Sequence, residues 1–221
     1  YVSELETDIP AITGQTGLTF LVQQCSQITN GEVGMAGRAH ASLMIDGSVR
    51  GLATYCMKPG SSGSTHMMPR TYLAWGSGTG HEIAYCLDDL TRKPPHALFV
   101  SKAGDQAVYT LTGGSGAGWV FDTQTIAAAP DGAYGYTGDD NTGALVVTGM
   151  TIVGSTLTVT FDRPIDGPLV WGFGLKHYTG SGQLMPNANA PRTNIRDGSG
   201  LTCPQTGQIV SGWMIQHGGT D

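Results

Sequence analysis

The stretch "LVVTGMTIVGSTLTVTFDRPI", Leu145 to Ile165, decides how most of this chain is read. Within it "STLTVTFD" alternates strictly. Leu157, Val159 and Phe161 point one way, and Thr156, Thr158 and Thr160 point the other. A period of two with one apolar face describes a half-buried antiparallel strand. "TIVGSTLTV" adds a Gly-Ser turn between two such runs, which reads as a hairpin.

The same character extends outward. "AVYTLTG" (Ala107 to Gly113) and "GPLVWGFGL" (Gly167 to Leu175) are rich in β-branched and aromatic residues and end in glycine. Short strands separated by glycine turns predict a β-sandwich or jelly roll over residues 97–221. Its upstream limit is "TRKPPHALFVS", where Pro94 and Pro95 cannot continue a helix.

Residues 1–93 read differently. Val2 to Ile9 is short and acidic and closes a helix. "LTFLVQQC" (Leu18 to Cys25) and "VRGLATYCM" (Val49 to Met57) are apolar runs of the kind that a strand buried on both faces requires. A helix over Ala39 to Ile45 separates them, and a second begins near Tyr72. Strand, helix, strand, helix is an α/β signature. Gly76, Gly78 and Gly80 weaken the second helix by up to about 1 kcal/mol each, and their small size lets it approach a sheet closely.

Composition excludes several classes. The 221 residues carry a formal net charge of −6, so no basic face is available for nucleic acid. No run reaches the roughly 20 apolar residues of a membrane span. The first residues, "YVSELETDIPAITGQ", hold neither the basic nor the apolar region of a signal peptide. The apolar share of 39% is that of a folded chain. Cys25, Cys56, Cys86 and Cys203 form no Cys-x-x-Cys pair and are read as buried free thiols, with one disulfide as the alternative.

His66 is the candidate catalytic residue. It ends a Gly/Ser loop and precedes the Tyr72 helix, a place where an imidazole can act as general base. The competing reading is a surface-loop or helix-capping histidine. His40, His81, His96, His177 and His217 lack metal-ligand spacing and are read as structural. Asp131, Asp139, Asp140 and Asn141 miss the EF-hand spacing and are read as a solvated turn. Tyr134, Tyr136, Trp119, Trp171 and Trp213 have faces suited to sugar rings, but they suit a sandwich core better.

"STHMMPRTYLAWGSGTGHEIA" resembles the last motif of SGNH-type esterases, in which a histidine closes a loop ahead of a helix with an aromatic residue and a glycine. His66, Tyr72 and Gly76 occupy those positions. "ITGQTGLTFLVQQCSQ" resembles the penultimate strand region of such a hydrolase. "GPLVW", "NANAPRTNIRDGSG" and "IVSGWMIQH" resemble the β-rich tail that follows such domains in phage tail spikes and related virion proteins. The resemblance implies the C-terminal part of an SGNH-like, flavodoxin-like three-layer α/β hydrolase followed by a β-sandwich. The implied activity is carbohydrate O-acetyl ester cleavage without cofactor or metal, in a virion or extracellular setting. The implied partners are a glycan or polysaccharide, further copies of the chain in a homo-oligomer, and an N-terminal hydrolase segment.

Two departures from the family pattern stand out. The aspartate expected three residues before the histidine is Gly63 here, so another carboxylate or a backbone carbonyl must orient His66. The Gly-Asp-Ser block of the nucleophile is not in this sequence, so the serine is expected from a segment that pairs with residues 1 to about 90. A structural or glycan-binding module of decayed hydrolase ancestry is the alternative.

Overall fold

The computed structural model describes residues 2–15, 21–23, 41–47, 50–52, 69–89, 91–122, 136–177, 184–186, 193–207, 209–210, 212–215 and 217–221. Helix α1 spans Val2–Thr13, α2 covers residues 41–46, and α3 spans Pro69–Asp88. Proline at the head of α3 needs no hydrogen-bond donor there, because the first turn of a helix has no acceptor for one. Strands β1 (Leu21–Gln23) and β2 (Arg50–Leu52) pair in parallel, and α3 packs on β2.

The remaining strands are antiparallel. One four-stranded sheet has the order β3-β4-β9-β8, built from His96–Ala103, Gln106–Thr112, Thr156–Phe161 and Val147–Val153. The β8–β9 hairpin turns at Gly154 and Ser155, where Gly154 takes a φ of +60° that other residues avoid. Leu157, Val159 and Phe161 are buried while the threonines between them are not, as the alternation predicts. The second four-stranded sheet has the order β14-β10-β6-β7, built from His217–Thr220, Val170–Phe173, Tyr136–Asp140 and Gly143–Leu145. Two short pairs complete the described strands, β5 (Trp119–Phe121) with β13 (Ile195–Asp197) and β11 (Leu175–His177) with β12 (Leu184–Pro186).

The two larger sheets enclose a common core. Tyr109, Leu111, Leu157, Val159 and Phe161 from the first pack with Tyr136, Trp171 and Phe173 from the second. Tyr109 is its centre, with ring centroids 5.0 Å from Trp171, 5.4 Å from Phe173 and 5.9 Å from Tyr136, all edge-on. Edge-to-face packing of this kind adds about 0.5–1.5 kcal/mol per pair beyond area burial. Trp171, Trp213 and Tyr136 are therefore core residues, and Trp119 packs on the core from its margin. Tyr134 and Asp131 lie outside the described residues.

The three-layer α/β hydrolase expectation for the first part is overturned. Parallel pairing among the described residues is limited to the three-residue strands β1 and β2, and the other sheets are antiparallel. An apolar run reports burial, and burial alone does not specify a multi-stranded parallel sheet. The β-rich expectation for the later part agrees with a sandwich, and from residue 97 onward no helix occurs among the described residues.

Asp140 does not face solvent as a free turn carboxylate. It holds Arg163 through two contacts, 2.6 and 3.0 Å, and accepts the backbone N–H groups of Thr142 and Asp166. These bonds, Arg163 first, hold its carboxyl well below the usual carboxylate range. Its oxygens are committed to closing the β6–β7 turn against the Arg163 loop. No helix among the described residues is long and apolar enough to cross a membrane.

Candidate functional site

His66, with Gly63, lies outside the described residues, and α3 begins three positions later at Pro69. Tyr72 and Gly76, the other two residues of the esterase-like motif, are on that helix. Gly76 and Gly80 are exposed and have open space where a side chain would stand. Gly78 is buried, and a methyl group there would overlap the Val210 carbonyl oxygen. The close approach expected of these glycines therefore happens at one of the three. Its partner is the C-terminal segment rather than a sheet.

That segment is anchored by two stretches that the sequence singled out. Residues 194–197 and 212–215 within them run antiparallel. The Met214 N–H bonds the Ile195 carbonyl at 3.1 Å, the Asp197 N–H bonds the Gly212 carbonyl at 2.8 Å, and Arg196 bridges Trp213. Asn194, Ile195, Asp197, Trp213, Met214 and Ile215 are all buried.

Polar groups converge where α3 meets the segment. Glu82 is only 2% exposed, and its Oε1 accepts the Gly212 N–H at 3.1 Å. Burial pushes the Glu82 carboxyl up to about 7, against the opposing pull of the Gly212 N–H and of Arg92, while the Asp197 charge pushes the same way as burial. Asp197 accepts the Ser115 N–H on Oδ2 at 2.7 Å, and on Oδ1 it accepts both the N–H and the hydroxyl of Ser199. The Arg92 guanidinium lies over the Tyr85 ring, 4.1 Å from its centroid, with Nη2 at 4.0 Å from Asp197 Oδ2. Nη2 is buried, and among the described residues only the Asp197 carboxylate faces it, beyond hydrogen-bond distance. Cys203, also buried on this segment, donates toward Gln205 Oε1 at 3.2 Å and is within reach of Ser77 on α3.

A second buried set joins β3 to β14. His217 Nδ1 donates to the Ile215 carbonyl at 2.9 Å, and Nε2 accepts the Ala97 N–H at 2.8 Å. Both bonds are satisfied by the neutral ring. Burial holds the imidazole down to about 4, and the nearby His96 adds to that. His96 donates Nδ1–H to the Pro94 carbonyl at 2.7 Å, and burial lowers its pKa too. His217 thus links the backbones of Ala97 and Ile215, while His96 holds the Pro94 carbonyl. His81 lies on α3, His177 on β11, and His40 outside the described residues.

Glu82, Arg92 and Asp197 were not singled out in the sequence. Asp197 sits inside a quoted motif, yet no spacing rule links it to a glutamate 115 positions earlier. Chemically the cluster offers a carboxyl poised to change charge near neutrality, a fixed cation and a fully bonded carboxylate. That is the equipment of a pH-sensitive joint. Fold and cluster together define a two-sheet antiparallel sandwich with a helix docked against its C-terminal segment.

No protein-family model matches the chain, and no curated protein matches it. Among solved structures, the crystal structure of a carbohydrate acetylesterase from Xanthomonas citri is similar, with a TM-score of 0.48 and 15% identity, over 86% of this chain and 43% of that one. The chain thus spans less than half the length of that structure.

Proposed function

We propose that this chain is part of a carbohydrate O-acetyl esterase. His66 takes a proton from a serine hydroxyl as the serine attacks the acetyl carbonyl, then returns the proton to the departing sugar oxygen. The serine comes from a hydrolase segment outside this sequence, and the β-sandwich is carried on the same polypeptide, with the division near Pro94 and Pro95. The supporting observation is that His66, Tyr72 and Gly76 keep the spacing of the esterase motif, and the helix bearing the last two is firmly docked through Gly78 and Glu82. A virion surface protein acting on an acetylated polysaccharide is the setting this reading favours.

The second reading is a structural or glycan-binding module without catalysis, and Gly63 in place of the orienting aspartate favours it. Acetate release from an acetylated polysaccharide by the complete polypeptide separates the two. His66→Ala should lower turnover at least ~100-fold with the fold intact, the usual loss for a general base. Turnover equal to the parent's makes His66 a loop residue and leaves the second reading.

A further inference from the structure

Strand β14, "HGGT", is held mainly by its ends. Its middle is Gly218 and Gly219, which bury no side chain and weaken a strand. Its ladder with β10 runs from the His217–Phe173 pair to the Thr220–Val170 pair.

At the first end the His217 ring is buried, stacked on Phe173 with centroids 5.4 Å apart and edge-on to Trp171 at 5.6 Å. Its Nε2 accepts the Ala97 N–H, which joins β14 to the start of β3. A proton on Nε2 would set donor against donor there and leave the Ala97 carbonyl, 3.0 Å away, to receive it. The titratable group facing the ring is His96, with centroids 6.2 Å apart, and Lys93 acts on His96 in turn. All three are cations in acid, so each added proton raises the repulsion.

At the other end Asp221 pairs with Lys102 on β3 and accepts the Leu169 N–H at 2.7 Å. Burial opposes the Asp221 charge, but Lys102 and the Leu169 N–H outweigh it and hold the carboxyl below its usual range. The buried Tyr109 phenol, which stays neutral, also senses this carboxylate.

Beneath the strand, Gly219 lies against the Trp171 indole, so that a methyl there would stand 3.4 Å from the ring. Trp171 Nε1 is buried with no hydrogen-bond partner among the described residues. Lifting β14 gives that donor water, which lowers the cost of opening.

We propose that β14 is an acid-released latch, closed on β10 and β3 while His217 is neutral and Asp221 is charged, and lifted in acid while the two sheets stay folded. Both ends respond in the same direction. His217 ionises near 6.5 in water and near 4 in place, so falling pH favours the lifted strand between those values. The Asp221 contact is complete above the ordinary carboxylate range and is lost as pH falls below it. Lifting β14 leaves Glu82 on Gly212, so the opposing pH dependence of that carboxyl does not enter.

Amide hydrogen exchange on the whole chain, corrected for its intrinsic pH dependence, tests this. Protection of residues 217–220 should fall on the order of 50-fold from pH 7.5 to pH 4.5. Protection of the β4–β9 ladder reports opening of the whole fold, Glu82 included. It should change less with pH and stay at least ~10-fold above that of β14 at pH 4.5. His217→Gln, which takes no proton in this range, should make β14 protection level with pH. Asp221→Asn should lower it ~10-fold at pH 7.5 and keep the acid dependence. A parent whose β14 protection is level with pH, or equal to that of β4–β9, overturns the latch. So does an acid dependence that persists in a folded His217→Gln, or an Asp221→Asn strand as protected as the parent's. Should His217→Gln fail to fold, the parent profile and Asp221→Asn still decide.

Discussion

Tyr109 and Tyr136 share a hydrogen bond between their hydroxyls, 2.6 Å long, across the two sheets of the sandwich. Both side chains are buried, and burial pushes both phenols above their usual range, so the pair stays neutral at any ordinary pH. Each hydroxyl therefore depends on the other. Tyr109→Phe should cost about 1–3 kcal/mol, the penalty of stranding a buried hydroxyl. Tyr136→Phe should cost a similar amount. The double variant should cost less than the sum of the two, because it strands nothing. Urea unfolding of the four proteins gives the coupling, and strict additivity would show that the hydroxyls are solvated independently.

The glycines of α3 should respond oppositely to the same change. Gly76→Ala and Gly80→Ala place a methyl in open space and should raise stability by up to ~1 kcal/mol each through helix propensity. Gly78→Ala drives a methyl into the Val210 carbonyl and should lower stability by about 1–3 kcal/mol. Thermal melts of the three variants check this. Stabilisation by Gly78→Ala would mean that the helix is not docked on the segment.

Stability should vary less with pH between about 4.5 and 6.5 than the buried histidines His217 and His96 alone would make it, because the buried Glu82 opposes them there. Unfolding returns Glu82 from about 7 to 4.5, so in that interval the folded state keeps a proton that the unfolded state has lost, and stability falls as pH rises. Unfolding returns His217 from about 4 to 6.5, so there the unfolded state binds a proton that the folded state refuses, and stability falls as pH drops. Each slope amounts to roughly 3 kcal/mol over its full range. Glu82→Gln should unmask the two histidines and give a protein whose Tm climbs more steeply from pH 4.5 to 6.5 than the parent's. It should also be more stable than the parent at pH 7.5. A Tm profile unchanged by Glu82→Gln would show that the carboxyl ionises normally.

Asp197 should be among the least replaceable residues. Its two oxygens serve the Ser115 N–H, the Ser199 N–H and the Ser199 hydroxyl, with Arg92 beyond. Asp197→Asn has one carbonyl oxygen to offer, so at least one buried donor then faces an amide N–H. A loss of about 3 kcal/mol or more is expected by chemical denaturation. A loss under 1 kcal/mol would mean that the hub is solvated.

The candidate site was legible only where it is local. Pro69 at a helix start, Tyr72 and Gly76 on that helix, and the need for a small residue near Gly78 can all be read from neighbouring letters. Glu82 was not, since a glutamate on an amphipathic helix ordinarily faces water. Its burial is decided by the arrival of Gly212, 130 positions away. His217 joins Ala97 to Ile215, a link that has no mark in the sequence around it.

The sequence by itself determined the alternation of β9, the β8–β9 hairpin with its glycine turn, and the start of α3, because each is a matter of sterics and periodicity within a few residues. Tertiary structure alone decided that β10 lies between β6 and the distant β14, that Tyr109 meets Tyr136, and that Glu82 meets Gly212. It also decided against a three-layer α/β hydrolase, since the apolar runs at Leu18 and Val49 yield one short parallel pair among the described residues. Hydrophobic burial is non-directional: it commits a segment to the interior without choosing its neighbour. That choice falls to register, close backbone approach and the pairing of buried polar groups, which exist only once distant parts of the chain have come together.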